Sequence, residues 1–178
     1  MRIGAVALCF VLSLGVCAAD LDQARSLISE NRLAEARTLL ETTVKDPALK
    51  GESLVLLTRV CTLGDDWKAA TSYGEQATAA LPKSSEAHYV YAVALRLKLT
   101  TVSKARAMFG IGDYKTALAR AIELDPGNLD AREEEIGFLM SAPAVAGGGD
   151  DKAMAKIQEL KAMDRKRALG FEVALLRK

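Results

Sequence analysis

The residues that could do chemistry are few. His88 is the only histidine, and beyond the first twenty residues Cys61 is the only cysteine. A cysteine–histidine nucleophile needs both side chains to meet and a third group to orient the imidazole. The sequence offers no such group. Cys61 lies among Leu57, Val60 and Leu63, a setting in which cysteine acts as a small buried hydrophobe. Zinc finds no ligand set. The run Gly147-Gly148-Gly149-Asp150-Asp151-Lys152 is glycine-rich. It lacks the Gly-Lys-Ser/Thr ending of a phosphate loop, and two aspartates would repel an anion. It reads as a glycine turn followed by an aspartate cap at Asp150 or Asp151. Glu133-Glu134-Glu135 places three carboxylates on consecutive helical positions, which face three directions. That is a solvated helix start rather than an acid–base pair, which needs an apolar pocket to split two pKa values. Arg165-Lys166-Arg167 is a short basic turn near the end of a helix. No cofactor is implied, and the residues do not point to an enzyme.

Charge and composition narrow the rest. The chain has 178 residues, half of them hydrophobic and only 5% aromatic. Alanine and leucine carry the apolar count, which suits closely packed helices. At the N-terminus Arg2 precedes an uncharged apolar run, residues 3–16, and Cys17-Ala18-Ala19 offers small residues before Asp20. This predicts a signal peptide over residues 1–19, cut after Ala19. The run is short for an uncleaved membrane anchor. A second alternative is a lipoprotein, because Leu14-Gly15-Val16-Cys17 loosely resembles a lipobox, although Val16 fits poorly. Peripheral membrane association is expected only if Cys17 is lipidated. The expected location is outside the cytoplasm, in the periplasm or cell envelope. Without Arg2, the 24 basic residues become 23 against 23 acidic ones, a net charge of zero. A balanced chain gives no electrostatic case for nucleic acid. Cys61, left alone, cannot form an internal disulfide, so packing must hold the fold.

The elements that position these residues follow from periodicity. Apolar residues recur at helical spacing over residues 20–31, 33–45, 49–63, 67–81, 85–99, 113–124, 129–140 and 150–163, with a short last helix over 169–177. Ser85 is the expected cap of the fifth. Residues 100–112 look irregular, and 143–149 look like a flexible loop. No stretch alternates with period two, so the predicted class is all-α.

The helices repeat. The string IELDPGNLDA, residues 122–131, is a helix end, a proline stop, a turn and a new helix start. Weaker versions punctuate the chain elsewhere. Ala36 and Ala70 lie 34 residues apart, and Pro47 and Pro82 lie 35 apart. Pro82 and Pro126 lie 44 apart, as do Ala77 and Ala121, so one insertion of about ten residues accounts for both intervals. Residues 100–112 hold that insertion. The pattern resembles the tetratricopeptide repeat (TPR) family. Small residues stand at the helix crossings, Ala36, Ala70, Ala77 and Ala121, and Pro82 and Pro126 close the repeats. The resemblance implies a TPR-type α-solenoid of antiparallel helix pairs, three to four repeats plus a C-terminal helix, over residues 20–178. Thr43 departs from the pattern at a small-residue position. Glu135 departs at a core leucine position, so its helix is expected to be rotated or partly exposed. His88 falls where a large packing residue is usual. AIELDPGNLDAR, then Met140-Ser141-Ala142-Pro143, then Gly147-Gly148-Gly149, resembles a group of exported bacterial TPR proteins with an Ala-Pro…Gly-Gly loop.

The resemblance implies a concave face lined by the first helix of each pair. Arg25, Ile28, Glu52, Val55, Arg59 and Thr62 map there, as do Glu86, Tyr89, Val93 and Arg96. Arg25, Arg59, Tyr89 and Arg96 are the candidate partner-binding residues, since guanidinium forks and aromatics grip peptides and carboxylates. The expected function is a non-catalytic scaffold that binds a protein or peptide. The alternative is a ligand-binding accessory of an envelope transport system. Leu169, Val173 and Leu176 share a face of the last helix. That face is expected to fold back or to meet a partner or a second copy, so a homo-oligomer through this helix is a further expectation.

Overall fold

The computed structural model describes residues 19–177. The rest of the expected leader, with Arg2, Cys9 and Cys17, lies outside the described residues. The first helix, α1, is described over 19–29. It is followed by α2 (Leu33–Thr43), α3 (Lys50–Leu63), α4 (Trp67–Ala80) and α5 (Ser85–Thr101). The chain continues with α6 (Lys104–Leu124), α7 (Leu129–Ser141), α8 (Asp150–Met163) and α9 (Arg165–Leu176). One 3-10 turn, Ala144–Ala146, precedes α8, and the described residues contain no strand. Consecutive helices pair antiparallel and stack in chain order as four hairpins, with α9 packed on α8 and α7.

The turns explain the pairing. Asn31 and Asp65 hold φ of 59° and 57° at the turns inside the first two pairs, 34 residues apart. Asparagine and aspartate tolerate this left-handed conformation, so each hairpin reverses in two or three residues. Between pairs, Leu81 N–H donates to Ala77 O at 2.8 Å and Asp125 N–H to Ala121 O at 3.1 Å, just before Pro82 and Pro126. A proline after that last bond cannot extend the helix.

The core runs as linked clusters beneath both layers of helices. Ala24, Ala36, Ala70, Ala77, Ala87, Ala92, Ala94, Ala121, Ala131 and Ala153 are fully buried. An extra carbon at such a crossing would force two backbones apart. Gly74 serves the same purpose where α4 meets α5, because a Cβ there would stand 2.7 Å from Tyr91 Cδ2. Thr43 is buried as well, and its hydroxyl lies 2.8 Å from Ser53 Oγ. A polar pair thus replaces the small residue expected there without leaving an unsatisfied group.

Several expectations need correction. Residues 100–112 are not irregular. The insertion lengthens both arms of one hairpin, and only Val102 and Ser103 separate α5 from α6. Gly110 and Gly112 made the segment look broken, but its lysine, alanine, arginine and methionine residues are helix formers. Gly110 also has a packing reason, since a Cβ would lie 2.8 Å from Leu99 Cδ2. The cap of α5 is Ser84, which accepts from Ala87 N–H. Ser85 instead donates to Ala121 O and accepts from Asn128 Nδ2, both at 2.8 Å, tying α5 to the end of α6 and the start of α7. The cap of α8 is Gly149, with Asp150 and Asp151 already inside the first turn. The loop over 143–149 is hydrogen-bonded rather than loose. Gly148 N–H donates to Pro143 O at 3.2 Å and Gly149 N–H to Leu139 O at 2.9 Å. A Cβ on Gly148 would meet Ala142 O at 1.8 Å, so only glycine fits. The last helix starts at Arg165, four residues early, because Asp164 caps it by accepting from Lys166 and Arg167 N–H. The rotation expected of α7 is present, with Ile136, one position after Glu135, in the core at 0% exposure.

Candidate functional site

The leading helices of the hairpins line up: α3 meets α5, and α5 meets α7. Along them runs a ladder of ion pairs. Arg25 Nη2 reaches Glu52 Oε2 at 2.9 Å, from α1 to α3. Arg59 pairs with Glu86, from α3 to α5. Arg96 Nε pairs with Glu134 Oε1 at 2.6 Å, from α5 to α7. The three arginines of the predicted face are therefore already engaged, though each side chain stays two-fifths to one-half exposed. The Arg25 and Arg59 pairs are exposed on both sides and contribute little, about 0–1 kcal/mol each, so a competing carboxylate can displace their partners, whereas Glu134 is largely buried beneath Arg96.

Two hollows follow this ladder. One, of about 530 Å³, lies between Arg25, Glu52, Val55, Arg59 and Glu86. The other, of about 370 Å³, lies between Arg59, Thr62, Leu63, Tyr89, Val93 and Asp130. Arg59 stands at their boundary. Tyr89 is half-buried in the second hollow, and burial, reinforced by Asp130 and Glu134, pushes its phenol up to about 12. Its hydroxyl makes no hydrogen bond with any described residue, so it is a neutral donor and acceptor open to a ligand. Thr62 Oγ1 is already committed to Thr58 O at 2.7 Å.

The sequence reading expected Arg25, Arg59, Tyr89 and Arg96 on one face; Arg25, Arg59 and Tyr89 line these two hollows, while Arg96 lines a separate hollow further along. That reading missed Leu63, Asp130 and Glu134. Asp130 had a signal. Glu52 and Glu86 lie 34 residues apart and Asp130 lies 44 beyond Glu86, the same interval that separates Ala77 from Ala121. Glu134 is one helical turn further on and takes the arginine that spacing would give to Asp130. Asp130 pairs with Arg167 of α9 at 2.6 Å instead.

The acidic run is more structural than the solvated reading implies. Glu133 faces Arg167, Glu134 holds Arg96, and Glu135 faces Lys156 at 3.7 Å. Glu134 also accepts from the Tyr114 hydroxyl at 3.0 Å. Burial drives that phenol well above the ordinary tyrosine range, and the Glu134 charge adds to the effect. Arg167, read as part of a basic turn, ties α9 to α7.

The chemistry-bearing residues do not meet. Cys61 is buried against Ala70 and Ala94, and burial raises its thiol pKa. His88 Nε2 lies 3.2 Å from Pro82 O. Lys152 Nζ donates to Gly147 O at 3.3 Å, so the glycine loop engages its own lysine. Among the described residues no group of histidine, cysteine and carboxylate side chains could hold a metal ion. No described helix is long and apolar enough to cross a membrane.

Antiparallel helix pairs, stacked in chain order with alanine at the crossings and proline at the ends, define a TPR-type α-solenoid. A crystal structure of a thermophilic TPR protein from Thermus thermophilus is similar to it over 90% of this chain and 90% of that chain, with a TM-score of 0.73 and 18% identity. No protein-family model matches the chain. No curated protein matches it either.

Proposed function

We propose that the protein is a non-catalytic interaction module of the bacterial cell envelope, binding an extended peptide or protein segment along its leading helices. The observation that carries this reading is the pair of adjoining hollows that share Arg59 and expose the unpaired Tyr89 hydroxyl. Val55, Val93 and Leu63 would take apolar side chains, Tyr89 would bond a backbone amide, and Arg59 would exchange Glu86 for a ligand carboxylate. Export rests on the leader pattern of Arg2, the apolar run and Cys17-Ala18-Ala19. The reading extends to a second copy of the chain at α9, where Leu169, Val173 and Leu176 remain exposed while Ala168 is buried and Phe171 and Leu175 pack inward.

The test is capture of binding partners from envelope extract on the immobilised chain, followed by affinity measurements on whatever is captured. Arg59→Ala and Tyr89→Phe should each weaken binding about tenfold while leaving the helical circular dichroism unchanged. Unaltered affinity in both variants would remove this face as the binding surface. Sedimentation of the wild type beside Val173→Asp checks the second-copy reading, which a monomer at all concentrations would end.

A further inference from the structure

The lengthened α5–α6 hairpin and the Pro143–Gly149 loop are the two places where the chain leaves the regular repeat. The fold brings them to one spot beside α7. Between them lies a hollow of about 530 Å³, within the size range of small-molecule sites. Leu99, Met108 and Ile111 of the hairpin form one wall, and Phe138, Pro143 and Ala146 form the other. Met108, which lines the hollow, is 50% exposed. Apolar side chains left open around a hollow favour a ligand that covers them.

The polar groups around the hollow select the ligand. Its ionisable lining residues are Arg96 and Lys104, both cations, with no carboxylate among them. Arg96 is held by Glu134. Lys104 is exposed and makes no ion pair or hydrogen bond with a described residue. The Thr100 hydroxyl donates to Leu97 O at 2.9 Å and the Ser141 hydroxyl to Gly137 O at 2.8 Å. With both hydroxyl hydrogens committed, the carbonyls of an extended peptide laid here would find no neutral side-chain donor in the lining. A hydrocarbon chain has no such groups. We propose that this hollow binds a free fatty acid of medium length, its methylenes against Met108, Ile111 and Phe138 and its carboxylate on Lys104 Nζ.

Calorimetric titration of the full chain with octanoate, decanoate and laurate, each below its micelle concentration, tests this. The expected result is one saturable site whose affinity rises about fourfold per added methylene. Dodecanol and dodecyltrimethylammonium should bind at least about tenfold more weakly than laurate, for want of the charge-assisted contact. Lys104→Glu should weaken laurate by about tenfold and leave the melting temperature unchanged, because the side chain is exposed. Ala107→Trp should fill the hollow and abolish uptake. A shift of the Met108 methyl resonance during laurate titration of the wild type gives a readout that does not depend on any variant. No binding of laurate, equal binding of dodecanol, or laurate uptake that survives both variants would overturn the assignment. Flotation with phosphatidylglycerol vesicles that laurate fails to compete away would overturn it in favour of a membrane surface. Displacement of laurate solely by amphipathic helical peptides of higher affinity would overturn it in favour of a protein partner.

Discussion

Tyr114 shows how one side chain joins packing to charge. It is fully buried, lies 5.1 Å from the Phe138 ring, and donates to Glu134, which also holds Arg96. Its phenol stays protonated in the fold well past the ordinary range, while an unfolded tyrosine ionises near 10. A raised pKa of this kind leaves stability constant below about pH 10 and erodes it as pH rises further. Tyr114→Phe should cost about 1 kcal/mol near neutrality, measured by urea unfolding, through loss of the bond to Glu134. Between pH 10 and 11 (the usual tyrosine range) the variant should lose stability less steeply than the wild type. Tyr89, pushed up to about 12, keeps part of the slope in the variant. Equal slopes would show that Tyr114 does not titrate as described. On the ion-pair ladder, Arg59→Ala should change stability by no more than about 1 kcal/mol, because its ion pair is exposed.

Among elements, the α4–α5 crossing and the α6 insertion behave oppositely. Gly74→Ala would push a carbon to 2.7 Å from Tyr91 Cδ2 and 3.1 Å from Tyr91 Cα, where the backbone must move. It should destabilise the protein by about 1–3 kcal/mol in thermal or urea unfolding. Gly112→Ala, in the interior of α6 with nothing within 4 Å of a new Cβ, should stabilise it by about 0.5–1 kcal/mol. A loss of stability there would mean that the inserted turns of α6 are not helical. The contrast shows what the sequence could tell. Alanine intervals of 34 and 44 residues reveal the helix pairs and the place of the insertion, because a crossing admits only small side chains. They say nothing of the insertion's own conformation, where two glycines compete with the helix formers around them. Caps were the other weak point. Ser84, Gly149 and Asp164 start their helices; Ser85 beside Ser84 and the two aspartates after Gly149 drew the expected caps one or two residues late, and the last helix was expected to begin only at residue 169. The arginines of the ion-pair ladder were legible by spacing, but their partners were only partly so, since Glu134 stands one turn off the repeat.

In the whole molecule, stability comes from neighbours in sequence: each hairpin packs on the next, and α9 covers Ile136, Ile157 and Leu160. Removing the Asp164 cap with Asp164→Ala should cost about 1 kcal/mol and loosen α9 first, measurable as faster amide exchange in α9 than in α5. Uniform exchange along the chain would contradict a stack that frays from its end. Cys61 sits midway in the stack, 2% exposed on α3 and covered by Ala70 of α4 and Ala94 of α5. No thiol reagent can touch it while these three helices stay together. In a chain that begins at Asp20, the rate at which a disulfide dye colours the protein becomes a stopwatch for breathing between the second and third hairpins, with no label to install. A ligand that clamps those hairpins together will slow that stopwatch even where it never comes near the sulfur.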